Sequence, residues 1–207
     1  MYRPPHFRED RPEVLHALIR AYPFAQLVTA GEQGLMANPL PLLIDPDASA
    51  SGTLRGHLAR ANDQVAALRA GGQALVIFQG PQAYVSPSWY PSKVEHGKVV
   101  PTWNYVAVHA WGVPRVIDDT VWLRRLIADL TVSQEQHRTK PWAVGDAPED
   151  FIDTMVKAIV GIEIPIDRIE GKWKASQNRS EPDRRGVAEG LRAESNEAMA
   201  ELVEGAL

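Results

Sequence analysis

The chain has 207 residues, a net charge of −4, 44% hydrophobic and 23% charged residues, six tryptophans and no cysteine. A chain of this length is one large domain or two small ones, and it buries roughly 70% of its unfolded surface without covalent staples. The missing cysteines exclude disulfides, thiolate metal centres and cysteine nucleophiles, and the acidic balance excludes a globally basic nucleic-acid binder.

The first ten residues, MYRPPHFRED, hold no apolar stretch of the secretory kind. No apolar run approaches the ~20 residues of a membrane span. A cytoplasmic protein without membrane attachment is the expectation. At 11–21, Val14, Leu15, Leu18 and Ile19 recur at helical spacing, with Pro12 in the first turn. Strands are predicted at 24–30, 35–44 and 53–58, with 31–34 as a hairpin turn. A short helix is predicted at 62–70, with Asn62 as its N-cap and Gly71 as its stop. Residues 73–86 read as a strand bent at Gly80-Pro81, and 87–104 as a loop. A long strand is predicted at 105–117. Helices follow at 119–136 (stripe Leu123, Leu126, Ile127, Leu130) and 148–160 (Phe151, Ile152, Met155, Val156, Ile159). Residues 161–169 return to a strand pattern, and the chain ends in helices at 183–194 and 196–204. The expected class is α+β, mainly β: an antiparallel barrel of about six strands with peripheral helices.

Three stretches carry candidate chemistry. GHLARAN at 56–62 ends a strand and opens a helix; His57, Arg60 and Asn62 there could donate to a phosphate, or serve only as cap and surface. Residues 84–105 crowd aromatics, prolines, Lys93 and Lys98 into one loop. That could line a pocket for a planar anion, or pack into a core or interface. KWKASQNR at 172–179 sets cations around Trp173 beside hydroxyl and amide groups, which suits a phosphate, a flavin edge or a stacked base; it also suits a lysine-protected edge strand. No histidine spacing points to a metal. No nucleophile elbow, phosphate loop or dinucleotide fingerprint is present, and no catalytic residue is assigned.

In order and wording, MYRPPHF, GHLARAN, YVSPSWYPSK, VPTWNYVAVHAWG and IEGKWKASQNR resemble the PaiB family of FMN-binding split-barrel proteins, negative transcriptional regulators. The resemblance runs from residue 1 to about 190. It implies a six-stranded split barrel, a homodimer and FMN as cofactor. It also implies one domain over 1–207, with a helical extension from about 180. Carried over residue by residue, it implies flavin contacts by His57, Arg60 and Asn62; by Ser86, Trp89, Lys93 and Tyr105; and by Lys174, Ser176, Gln177 and Asn178. One departure stands out: Pro39-Leu40-Pro41 occupies the place of the family's His-Leu-Pro turn, and proline offers no side-chain hydrogen bond. A flavin-dependent oxidoreductase is the alternative function, and a haem binder the third. DNA is a weakly supported partner: the net charge opposes it, and only Arg168, Lys172, Lys174 and Arg179 form a local basic run.

Overall fold

The computed structural model describes residues 1–32 and 34–205. In chain order the elements are β1 (Arg8–Glu9), α1 (Pro12–Ala21), β2 (Phe24–Gly31), β3 (Gly34–Pro41), β4 (Leu43–Asp45), β5 (Thr53–Ala59), α2 (Gln64–Arg69), β6 (Ala74–Val85), α3 (Ser92–His96) and β7 (Thr102–Gly112). Then come β8 (Arg115–Ile117), α4 (Thr120–Glu135), α5 (Glu149–Lys157), β9 (Ile159–Pro165), β10 (Arg168–Lys174), α6 (Glu181–Ala193) and α7 (Glu197–Glu204). The chain forms two compact units. One holds residues 1–21, 78–109 and the chain from Glu170 onward; the other holds Tyr22–Ile77 and Ala110–Ile169.

In the unit built on Tyr22–Ile77 and Ala110–Ile169, β2 and β3 form a hairpin in which Gly31 opposes Gly34. Gln33 of the predicted turn lies outside the described residues. The opening residues of β6 continue this sheet on the other side of β2, with Leu27 opposite Val76. A second antiparallel sheet runs β4-β5-β9-β8. Leu54, Leu58, Val160, Ile162 and Ile164 are buried on its strands. Fully burying one such side chain contributes about 1.5–3 kcal/mol. α4 and α5 close on a cluster of Leu123, Ile152 and Val156, with Trp122 packed against it. Gly161 on β9 accommodates that indole; a Cβ there would collide with the Trp122 ring.

In the other unit the sheet order is β1-β10-β7-β6. Arg8 pairs with Lys172 and Glu9 with Gly171, so β1 edges β10. α1 buries Leu15, Leu18 and Ile19, and the packed pair α6 and α7 buries Val187, Leu191, Met199 and Val203. Asp119, Ser180 and Asn196 cap α4, α6 and α7 with side-chain oxygens.

Several predicted boundaries shift, each for a local reason. The 35–44 strand breaks at Leu42, whose N–H turns to Pro23 O at 2.9 Å, and β4 resumes in the second sheet. The 105–117 strand starts earlier, at Thr102, and breaks at Val113-Pro114, where proline supplies no N–H. The 87–104 loop contains a 3-10 turn at Pro87–Trp89 and the single helical turn α3. The predicted 148–160 helix ends at Lys157 and Ile159 begins a strand. Its apolar stripe is narrower than expected. Ile152 and Val156 are buried, while Phe151 and Met155 are 53% and 45% exposed, because they lie on the row next to the inward one.

Candidate functional site

The GHLARAN stretch leaves β5 and turns into α2. Arg60 is fixed by its own side chain: Nε donates to Lys157 O (3.0 Å), Nη2 to Ile159 O (2.9 Å) and Nη1 to Asp118 Oδ1 (2.6 Å). Arg69 Nη2 reaches Asp118 Oδ2 at 2.7 Å. The hydrogen bonds from Arg69 and then Arg60 hold the Asp118 carboxyl below the usual carboxylate range. Asn62 is not the formal cap of α2, a position taken by Asp63 without a side-chain bond. Its Oδ1 nevertheless accepts from Gln64 N at 2.9 Å and from Asn38 Nδ2 at 3.5 Å, which turns the chain one residue earlier. Gly71 stops the helix with φ +77°. Gln64 is completely buried. Its Nε2 donates to Leu27 O (2.9 Å) and Thr29 Oγ1 (3.1 Å), and its Oε1 accepts from Asn38 Nδ2 (3.0 Å).

Two cavities, of about 670 and 480 Å³, share Met36, Ala61, Asn62 and Asp63 as lining. Arg60, Arg69 and Glu32 also line the larger, and Asn38 and Gln64 the smaller. With Glu32, Asp63 and Asp118 beside two arginines, binding here rests on directed N–H groups rather than on net positive charge. His57 is outside this lining. Period-two alternation puts it on the face of β5 that carries Arg55, and Arg55 Nη1 bonds Asp129 Oδ2 of α4 at 3.2 Å. His57 Nδ1 and Arg55 Nε are buried without hydrogen-bond partners. Burial lowers the His57 pKa from its ordinary value.

In the other unit, the tryptophan loop is fastened to α6. The Trp89 ring lies where a Cβ on Gly190 would be, and its carbonyl closes on Gly186. Ser92 N and Oγ donate to the buried Asp183 carboxylate at 3.1 and 2.8 Å. Ser86 Oγ accepts from Ser88 N (3.2 Å), and Lys93 Nζ reaches Ser88 Oγ (3.4 Å) at the surface. Ser86 and Trp89 thus make contacts within the loop and with α6, while Lys93 stays at the surface with one long hydrogen bond.

The KWKASQNR stretch divides likewise. Ser176 adopts φ +63°, a left-handed conformation that is strained for a side chain with a Cβ. Its Oγ accepts from the buried Asn104 Nδ2 at 2.9 Å. Gln177 closes the same turn, accepting from Ala175 N (2.8 Å) and donating to Trp173 O (2.6 Å). Asn178 is exposed. Lys174 Nζ donates to Thr102 Oγ1 at 2.5 Å and to Trp103 O. Burial first, then Lys172 and Arg179, lower its pKa. Tyr105 stands beside Lys172, whose Nζ is 5.0 Å from the ring centroid. Lys172 belongs to the basic run at 168–179 but was not among the flavin contacts that the resemblance implied. The signal was available: on a strand, 172 and 174 share a face.

Among the described residues no group of three His, Asp or Glu side chains is gathered to hold a metal ion, and no helix is long and apolar enough to cross a membrane.

Antiparallel sheets with peripheral helices place the chain in the class of flavin-binding split barrels. Among solved structures, the FAD and heme binding protein of Mycobacterium smegmatis shares this fold, with a TM-score of 0.55 at 17% identity over 81% of this chain and 73% of that one. Residues 1–168 match the family described as "Putative FMN-binding domain". The protease synthase and sporulation protein PAI 2 of Bacillus subtilis is 33% identical over 100% of this chain and 98% of its own length. Protein AN0679 of Emericella nidulans is 36% identical over 88% of this chain and 87% of its own. The chain belongs to this FMN-binding family and is of the PaiB type.

The donor set fits FMN. Among the described residues Asn62 Nδ2 makes no hydrogen bond, and Arg60 uses three of its five N–H groups. Both line a cavity of about 670 Å³, within the roughly 300–1,000 Å³ usual for cofactor sites.

Proposed function

We propose that this protein holds FMN in the cavity beside Asn62 and works as a PaiB-type negative transcriptional regulator. It acts in the cytoplasm as a homodimer, each chain one split-barrel domain with a helical extension from about residue 180. The observation that carries the reading is the pair of unspent donors, Asn62 Nδ2 and the remaining Arg60 N–H groups, on a cavity of cofactor size. Arg60, already immobilised by two main-chain carbonyls and Asp118, would meet oxygen atoms of the ligand at little further entropic cost. Asn62 would supply an amide donor fixed by its own Oδ1 bonds. Bound FMN supplies a two-electron redox centre.

The regulatory part of the reading does not rest on the basic run at 168–179. Arg168 stacks 3.7 Å above the Trp111 ring, Lys172 is buried, Lys174 is bonded to β7, and Arg179 lies over Tyr90. Those side chains do not form a row of open phosphate contacts.

The test is a fluorescence titration of FMN with pure protein, paired with sedimentation velocity. Quenching by the wild type, at least tenfold weakened in Asn62→Ala, is expected, a loss of about 1.4 kcal/mol or more. Absence of quenching by the wild type would overturn the cofactor assignment. A sedimenting monomer would overturn the dimer. No shift of promoter DNA at low salt would sink direct DNA recognition.

A further inference from the structure

Asn38 of β3 stands between the buried Gln64 amide and Asn62. Its Nδ2 donates to both, to Gln64 Oε1 at 3.0 Å and to Asn62 Oδ1 at 3.5 Å. Three primary amides thus form a row from the interior to the cavity wall, where Asn38 lines the smaller cavity and Asn62 lines both. A primary amide has a donor end and an acceptor end of nearly the same shape, so its neighbours decide which end points where.

The row starts at oxygens that can only accept. Gln64 Nε2 meets the main-chain oxygens of Leu27 at 2.9 Å and Met36 at 3.4 Å, together with Thr29 Oγ1 at 3.1 Å. Gln64 therefore turns its NH2 toward β2 and β3 backbone and its Oε1 toward Asn38. Asn38 can answer that oxygen only with Nδ2, and the second hydrogen of the same Nδ2 is left for Asn62, which answers with Oδ1. The main-chain N–H of Gln64, 2.9 Å from the same Oδ1, demands the same orientation. Two donors hold the acceptor end of Asn62, so its donor end is the one left over. Turning Asn62 over would lose both bonds and set its NH2 against two N–H groups.

We propose that Asn38 is a positioning residue that sets the polarity of the Asn62 site, so that the site accepts a ligand through a hydrogen-bond acceptor, a carbonyl oxygen or an unprotonated ring nitrogen, and rejects one that presents a donor there. This inference rests on the reading that the ligand meets Asn62, and FMN serves as the probe.

The full chain is labelled with ¹⁵N, and the Asn62 side-chain NH2 pair is identified by its loss in Asn62→Ala. Two variants are compared with the wild type, with melting temperatures recorded for each. Asn38→Asp replaces the donor beside Asn62 with an acceptor of the same size, and should draw the Asn62 NH2 inward. The pair should then move downfield without ligand, and FMN binding should weaken roughly tenfold. Asn38→Leu removes the donor without supplying an acceptor; Gln64 N still holds Asn62, so binding should stay within about threefold. A role in packing alone predicts the reverse order, because aspartate is the closer match in shape. An Asn62 pair unmoved in Asn38→Asp, or FMN affinity equal to that of the wild type, overturns the proposal. Asn62→Asp gives a check that does not touch β3: it keeps both inward bonds, turns the outward donor into an acceptor and should also weaken FMN roughly tenfold, while unchanged affinity overturns the polarity. A wild type that fails to quench FMN removes the flavin reading, and the ligand-free shift in Asn38→Asp then decides the polarity by itself: a moved pair supports it and an unmoved pair overturns it.

Discussion

Around Asp118, two guanidiniums share one carboxylate at the surface, with side-chain exposures near 45% for all three groups. On β10, two lysines share a strand face with aromatic rings and no carboxylate bonded to either. The first arrangement is charge-paired and energetically modest, since exposed ion pairs are screened and lose side-chain entropy, and it leaves two Arg60 N–H groups for a ligand. The second is less balanced, because the Lys172 stem is buried while its ammonium meets aromatic faces instead of a carboxylate. Gln64 gives the third case. It is a buried polar group with its amide bonded to Leu27, Thr29 and Asn38, so its burial supports the unit that contains it. The lesson is that the kind of residue says little about its role. Whether its bonds are already made by the chain decides whether it is structural or waiting for a ligand.

Substitutions that remove the completed or the incomplete partner should rank accordingly. The largest effect is expected at Gln64→Leu, which removes the donor to Leu27 O and to the buried Thr29 Oγ1 and one acceptor of Asn38 Nδ2; urea unfolding should show a loss of about 3 kcal/mol. A loss below 1 kcal/mol would mean that water replaces the amide and that the network is not closed. Next, Lys172→Met should change stability in urea unfolding by less than about 1 kcal/mol, because the buried stem is kept and only an ammonium that is not fully enclosed is lost. A larger loss in Lys172→Met would break the comparison outright.

A smaller effect is expected with pH. Burial lowers the pKa values of His57 and His109 from the ordinary histidine value of about 6.5. The unfolded chain therefore binds protons at a higher pH than the folded one does. Stability should be complete above that value and fall as pH drops below it, until the folded-state values are passed. Thermal melts between pH 5 and 7.5 should show this slope, and His57→Gln should flatten it; an unchanged slope in the variant would assign the effect elsewhere. The smallest effect belongs to Asp118→Asn, for which the melting temperature should not move measurably. A clear drop would show that the surface clamp does more than hold two arginines in place.

Much of the fold was legible because its signals are local. The helix at Pro12–Ala21, the β2–β3 hairpin and the Asp119-capped α4 follow from periodicity, turn residues and caps within a few positions. The three-residue strands β4 and β8 were not separable, because so few residues carry no period and their identity comes from partners on β5 and β9. The candidate site was legible as motifs but not as roles. SPSW and SQN looked like ligand chemistry, yet Trp89 fills the space left by Gly190, and Ser176 and Gln177 close a turn. Nothing near Trp89 in sequence announces a glycine a hundred residues later. Lys172 was legible as a cation but not as a buried one.

The sequence by itself determined the longer secondary elements, the FMN-binding family and the set of polar residues that could meet a ligand, because propensity, periodicity and motif wording are properties of short stretches. Tertiary structure alone decided which of those polar groups the chain consumes. Arg60 finds carbonyls at 157 and 159, Gln64 finds the β2 backbone, and Lys172 finds only rings. Hydrogen-bond satisfaction and desolvation depend on what lies within a few ångströms in space, and that neighbourhood is assembled from residues far apart in the chain.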